Sequence, residues 1–468
     1  HSTSRRQRQM CIRDRFGGVD FSTHATKADL THSPDACNMM AGETDFLVKR
    51  PGYKKMAQAE GKVYGLFALP GETGAIVHAG ETLFHMSAGG TLTQLCTGMS
   101  PAYSFAFRMN GALYLLDGQT YRKVFKQDGS WTAQAVSEAA FVPTTTIAAP
   151  PTGGGASLEA VNLLTPKRIN TFVGNGSATQ FYLDAQDIDE GEVTVTVDGE
   201  AVAVSSVNRS TGVVTLASAP PNANGLANVA VTFCKTVEGN ADKIHKCRFA
   251  GLYGGKNDTR VFLSGNPDEP NCDWQSGLFD PAYFPDTGYT KIGSDAAAVV
   301  GYVRQYESQL VIKEGGGQEA TQYLRTFLLD DDGKAAYPLK QGAQGAGGLA
   351  FRSFAALGDT PLFLSADGVM GVFGTAVTEQ RSIRRQSGAV DPRLTEEENL
   401  QDACAVVWRD KYFLAVNGRC YVADGRAYRA DGSPEWYYWD NLPATCFAVL
   451  DGRLWFGLSL IHISEPTR

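Results

Sequence analysis

One local pattern recurs along this chain and limits what it can become: an apolar strand, a tight turn, then a second strand with an aromatic and aliphatic centre. It reads "AYSFAFRMNGALYLLDG" at 102–118, "VGYVRQYESQLVIKEGG" at 300–316 and "FAALGDTPLFLSADGVMGVFG" at 354–374. It returns as "CAVVWRDKYFLAVNGRCYVAD" at 404–424 and "TCFAVLDGRLWFG" at 445–457, with looser copies at 63–86 and 247–265. The turns fall at Asn110-Gly111, Gly358-Asp359, Asp410-Lys411 and Asp451-Gly452. Asn-Gly and Asp-Gly tolerate the positive φ that a tight hairpin demands. Leu83, Leu113, Val261, Leu310, Leu362, Tyr412 and Leu454 anchor the second strands, and from Val261 onward they stand 49, 52, 50 and 42 residues apart. A unit of several short strands returning every ~40–50 residues marks propeller blades. A long sandwich would alternate too, but would not bring one motif back at near-constant spacing. The expected fold is therefore all-β, a β-propeller of about six or seven blades.

The interval between Leu113 and Val261 breaks the period. Residues 142–167, containing "VPTTTIAAPPTGGGASLEAVNLL", have the Pro, Gly and Thr content of a linker. Next, Val193, Val195 and Val197 alternate with polar residues, and Asp198-Gly199 turns the chain into Val202 and Val204. That is a hairpin followed by further alternating strands, so 168–236 reads as a small inserted β-sandwich domain. The propeller then spans 16–141 as N-terminal blades and 237–457 as the remainder. Helix is expected only near "DPRLTEEENLQ", where Asp391-Pro392 and a Thr395…Glu398 capping box could start a short one.

Both ends read as foreign. Residues 458–468, "LSLIHISEPTR", back-translate residue for residue to the transposase mosaic end and adapter of tagmentation sequencing libraries, and Arg5 to Asp14 to the opposite adapter. Segments 1–15 and 458–468 are set aside as adapter-derived and not native. The last blade is accordingly expected to be truncated, with the tail loosely packed or improvising a strand through Leu460 and Ile461. Removing six of the 42 Lys and Arg and two of the 50 Asp and Glu moves the formal charge from −8 to −12. An acidic chain is poorly suited to gripping nucleic acid by phosphate neutralisation, although DNA could slide past it. No run of about 18 apolar residues suggests a membrane span. Cys37, Cys96, Cys234, Cys247, Cys272, Cys404, Cys420 and Cys446 show no CxxC spacing and read as buried free thiols. The five remaining histidines are too scattered for a zinc site.

Four stretches invite a chemical reading. The glycine run "QGAQGAGG" (341–348) lacks a P-loop lysine and leads into a strand, so it reads as a loop. Asp330-Asp331-Asp332-Gly333 lacks the EF-hand pattern and reads as an acidic turn. Asp268, Glu269 and Asp273 in "NPDEPNCDW" sit in no recognisable catalytic motif and read as solvated loop carboxylates. Arg381, Arg384 and Arg385 form the densest basic cluster, suited to a solvated face, to an acidic neighbouring subunit or to a phosphate backbone. No residue is assigned a catalytic, cofactor-binding or metal role, no cofactor is expected, and the chain is not expected to be an enzyme.

Four segments in order resemble a known group. They are "SPDACNMMAGETDFLVKRPGYKKM" (33–56), "PTTTIAAPPTGGGASLEAVNLLTPKR" running into "FVGNGSATQFYL", residues 337–374, and "YFLAVNGRCYVADGRAYRADGSPEWYYWDN" (412–441). Together they resemble phage packaged-DNA stabilisation proteins, also called tail accessory or nozzle proteins of head completion. The resemblance implies a structural virion protein at the head–tail junction, present in the host cytoplasm during assembly. It implies a ring with itself, typically of six copies, below the portal and adaptor proteins, with other tail proteins as neighbours. Packaged DNA would be a non-specific channel contact, and no membrane is involved. Two alternatives stand beside it: an extracellular propeller glycosidase or carbohydrate-binding protein, with facing carboxylates in a central funnel, and a phage receptor-binding tail module.

Overall fold

The computed structural model describes residues 15–43, 45–69, 71–315, 319–342, 344–374, 381–458 and 463–466. Seven four-stranded antiparallel sheets stand around one axis as a β-propeller. Blade 1 begins at Val63–Ala68, blade 2 at Phe105–Met109, blade 3 at Phe249–Tyr253 and blade 4 at Val299–Gln305. Blade 5 begins at Ala355–Leu357, blade 6 at Cys404–Trp408 and blade 7 at Ala444–Leu450. These first strands are the inner ones, and those of blades 2 and 3, 3 and 4, 5 and 6, 6 and 7, and 7 and 1 touch, the last of which closes the circle.

The second strands explain the repeat. Gly74–Ala79 in blade 1 and Lys411–Val416 in blade 6 are buried along their whole length. Alternate residues serve opposite neighbours: Tyr412 and Leu414 enter the apolar core shared with blade 5, while Phe413 enters the one shared with blade 7. A strand buried on both faces is apolar except where a polar group finds a buried partner, as His78 and Lys411 do, which produces the periodic aromatic and aliphatic anchors. Leu83 is the exception, since it lies on the third strand of blade 1, Thr82–Ser87. The second strand there is the smaller-residue run Gly74–Ala79, so the larger apolar residues downstream draw the eye.

Four further expectations are corrected. Residues 16–50 form no blade: they run as a strap against blade 6, with the Val19 amide donating to the Trp436 carbonyl at 2.8 Å. The segment read as a linker contributes two strands, Thr144–Ala149 and Ala156–Ser157, to the six-stranded sheet of the insert. Its Thr and Ile are β-prone, and the Pro and Gly occupy only the connection between them. The Thr395 capping box does not form; a one-turn helix spans Asp391–Leu394, and Thr395 closes it by donating to the Asp391 carbonyl at 2.8 Å. A second short helix, Asn240–His245, links the insert to blade 3.

The insert pairs its six-stranded sheet with a three-stranded one over a core that includes Phe172, Phe181, Val214 and Phe233. Blade 7 draws only Ala444–Leu450 and Arg453–Leu458 from its own stretch of chain, and the expected improvised strand completes it. Tyr53–Ala57, from the N-terminal side of blade 1, supplies its outer strand, leaving a one-strand gap beside Arg453–Leu458. The backbone of Ile463–Pro466 fills that gap, with Phe456 opposite Ser464 and Tyr53 opposite Pro466. Backbone pairing of this kind asks little of the sequence that supplies it. Leu460 and Ile461 lie outside the described residues. Among the described residues no helix is long and apolar enough to cross a membrane.

Candidate functional site at the propeller axis

Six of the inner strands and the segment before blade 5 converge on a cavity of about 300 Å³. Its wall is largely aromatic, with Phe67, Phe105, Phe249, Tyr302, Phe354 and Phe447 contributed by different blades. Small residues make room for these rings. A Cβ on Gly301 would lie 2.5 Å from the Phe354 ring, and one on Gly65 would lie 2.3 Å from Ser104 Oγ.

Arg352 spans this space. Its guanidinium lies 3.5 Å from the centre of the Tyr103 ring of blade 2. The same group donates through Nη1 to the Thr445 carbonyl at 2.5 Å, and through Nη2 to the Asp402 carbonyl. Its own carbonyl accepts from the Ala405 amide of blade 6 at 2.9 Å. One side chain thus ties blade 2 to blades 6 and 7 across the axis, and the combination of cation–π and hydrogen-bond contacts fixes it there. Lys62 caps the Tyr103 ring at 4.4 Å.

Ser104, on the cavity wall, contacts the buried His78 behind it, a nucleophile–base pair. His78 Nε2 lies 3.1 Å from the Gly80 carbonyl and must donate to it, so Nδ1 accepts from Ser104 Oγ at 3.1 Å. Burial pushes the imidazole below its ordinary range, against the opposing field of Asp117, and keeps it neutral. A backbone carbonyl stands where a triad would place a carboxylate, and the contact serves as a seam between blades 1 and 2. Cys404 and Cys446 also reach the wall; burial raises both thiols, that of Cys404 to about 12, so neither is a thiolate at neutral pH. Among the described residues no carboxylate lines the cavity.

The residues singled out from the sequence do not meet here. Gly347 and Gly348 provide close approach, the Gly348 amide donating to the Lys313 carbonyl at 2.9 Å. Asp330 closes its turn by accepting from the amides of Asp332 at 3.1 Å and Lys334 at 2.7 Å. Asp268 pairs on the surface with Lys246. Asp273 corrects the solvated-loop reading: it is fully buried and bonded to Arg325 at 2.6 Å and to Tyr302 at 3.1 Å. Arg384 stacks over Phe373, Arg381 over Tyr306, and Arg385 lies 3.5 Å from Asp391. The eight cysteines among the described residues are free thiols, five of them buried. Among the described residues no group of three His, Cys, Asp or Glu could hold a metal ion.

No family model and no curated protein matches this chain. Solved structures do. Virginiamycin B lyase from Staphylococcus aureus is 7 % identical with a TM-score of 0.41, over 89 % of this chain and 98 % of that one. The computationally designed Ika8 protein is 10 % identical with a TM-score of 0.38, over 89 % and 100 %. A putative gluconolactonase is 10 % identical with a TM-score of 0.34, over 89 % and 92 %. At these values the likeness concerns fold, not chemistry.

Proposed function

We propose that this chain is a structural, non-enzymatic subunit of a tailed-phage virion, a packaged-DNA stabilisation protein that closes with further copies into a ring beneath the portal and adaptor. The observation that carries the reading is the narrow axis, whose cavity of about 300 Å³ is too small to pass a DNA duplex. A glycosidase-like propeller would present facing carboxylates in its central funnel, whereas this funnel holds packed rings and a pinned guanidinium. A disc too narrow at its own centre for a duplex can border a DNA passage only with its outside, as one of several copies around a common axis. The four ordered motifs that resemble packaged-DNA stabilisation proteins support the same reading, and so does the acidic balance, because a channel wall must not hold phosphates. Retention is then steric: the ring narrows the exit, and ejection rearranges it. Other tail proteins complete the junction, and DNA is only a passing, non-specific contact. The test is assembly of particles with the portal and adaptor encoded beside this gene, with and without this protein. Particles that lack it should lose their DNA while still binding the purified chain at the adaptor. Particles that keep their genome without it, and an adaptor that does not bind it, would overturn the proposal.

A further inference from the structure

Two small hairpins project from the propeller's outer part, and each exposes large apolar residues on an unpaired edge. The first, Met39–Ala41 with Leu47–Lys49, is held against the outer strand of blade 6 by the Asn38 amide, which donates to the Tyr438 carbonyl at 2.9 Å. Phe46 is 52 % exposed and Leu47 50 %. The second, Leu328–Leu329 with Ala335–Ala336, leaves blade 4 between its third and outer strands. Leu328 is 56 % exposed and Leu329 63 %, while Phe327 anchors the base against Tyr337 at 5.9 Å. Among the described residues neither Leu47–Lys49 nor Leu328–Leu329 pairs with a strand on its other side. Exposed apolar edges of this kind are templates for pairing with another chain.

The two hairpins differ in charge. Asp330, Asp331 and Asp332 crown the blade 4 hairpin, and all three are exposed. Exposed Lys49, Lys54 and Lys55 follow the strap hairpin along the rim of blade 7, with Glu43 and Asp45 confined to its turn. The blade 4 edge carries negative charge and the blade 7 rim beside the strap hairpin carries positive charge, so the two complement each other between copies. Their placement also matters. The hairpins sit on blades 4 and 6, two blades or roughly 103° apart at about 51° per blade. A contact joining two different surfaces of successive discs is heterologous, and it generates a ring when its rotation closes.

We infer that the blade 4 hairpin of one copy docks edge-to-edge on the strap hairpin of the next, Leu328 and Leu329 packing on Phe46 and Leu47 and the aspartates meeting the rim lysines. This rests on the ring reading above and assigns its surfaces. The test uses two full-length double variants, F46D/L47D and L328K/L329K, whose exposed substitutions leave the circular dichroism spectrum and thermal midpoint unchanged. Wild-type protein, alone or with the adaptor, forms rings by native mass spectrometry. Each variant alone is monomeric, its association weakened on the order of 100-fold. An equimolar mixture of the two forms a one-to-one heterodimer and nothing larger, because each variant keeps the hairpin the other has lost. Rings that persist in both variants would overturn this interface while leaving the ring reading standing. A wild-type chain that is monomeric at every concentration, with and without the adaptor, would overturn both.

Discussion

Asp273 and Arg325 face each other in the seam between blades 3 and 4, both withdrawn from water. Burial raises the Asp273 carboxyl although the Arg325 guanidinium and the Tyr302 hydroxyl oppose the rise. Arg325 also donates to Gln309 Oε1 at 2.8 Å and lies 4.0 Å from the centre of the Phe262 ring. Breaking such a pair leaves an uncompensated buried charge, so Arg325→Met should cost about 3–5 kcal/mol in urea unfolding, and adding Asp273→Asn should restore much of it. Equal losses in the single and double variants would contradict this account. Nothing near Asp273 in sequence foretells the pair, because its partner lies 52 residues further on. Asp20 is the opposite case: burial would raise its carboxyl, but hydrogen bonds from Ser22, Arg429 and Thr23 and the Arg429 charge hold it at about 2. A carboxyl depressed from the ordinary ~3.9 stabilises the fold above that pH and loses its contribution as pH falls toward the folded value. Hydrogen exchange in the strap around Asp20 should therefore rise between pH 4 and pH 2, and a flat profile would argue against the contact.

Among the elements, turns were the most legible. Asn110-Gly111 and Asp451-Gly452 adopt the paired positive φ their sequences imply, at 51° and 74° and at 49° and 72°. The turn expected at Asp410-Lys411 sits one residue earlier, with Arg409 at 48° and Asp410 at 58°, because Lys411 is drawn into the strand and buried against Asp424. The strap was not legible: its hold on blade 6 depends on contacts some 400 residues apart in sequence, such as His32 to Glu435 at 2.7 Å. Gly18 makes that approach possible, with φ of +95° and a Cβ position 2.2 Å from the Trp436 carbonyl oxygen. Gly18→Ala should release the strap at a cost of about 1–3 kcal/mol. Limited proteolysis should then cut between residues 16 and 38 while blade 6 stays intact, and unchanged protection would contradict the assignment.

At the scale of the whole molecule, seven apolar cores lie one between each pair of neighbouring blades, from blades 1 and 2 through blades 7 and 1, and an eighth fills the insert. The near-constant spacing of second strands made the propeller readable, since every blade buries the same strand on both faces. The outer strand of blade 7 was not readable, because Tyr53–Ala57 precedes blade 1 in the chain. The narrow axis escaped notice for a related reason: it is assembled from single residues of many blades, and "FRSFAAL" around Arg352 looks like any strand entry. The account rests on that narrow centre belonging to a disc that works beside its copies. Single-particle imaging of the chain bound to its portal and adaptor tests this most directly. The account predicts a closed ring of propellers with DNA density on the common axis and none within any one disc. Single unassembled discs, or a ligand seated among the aromatic rings around Arg352, would contradict it.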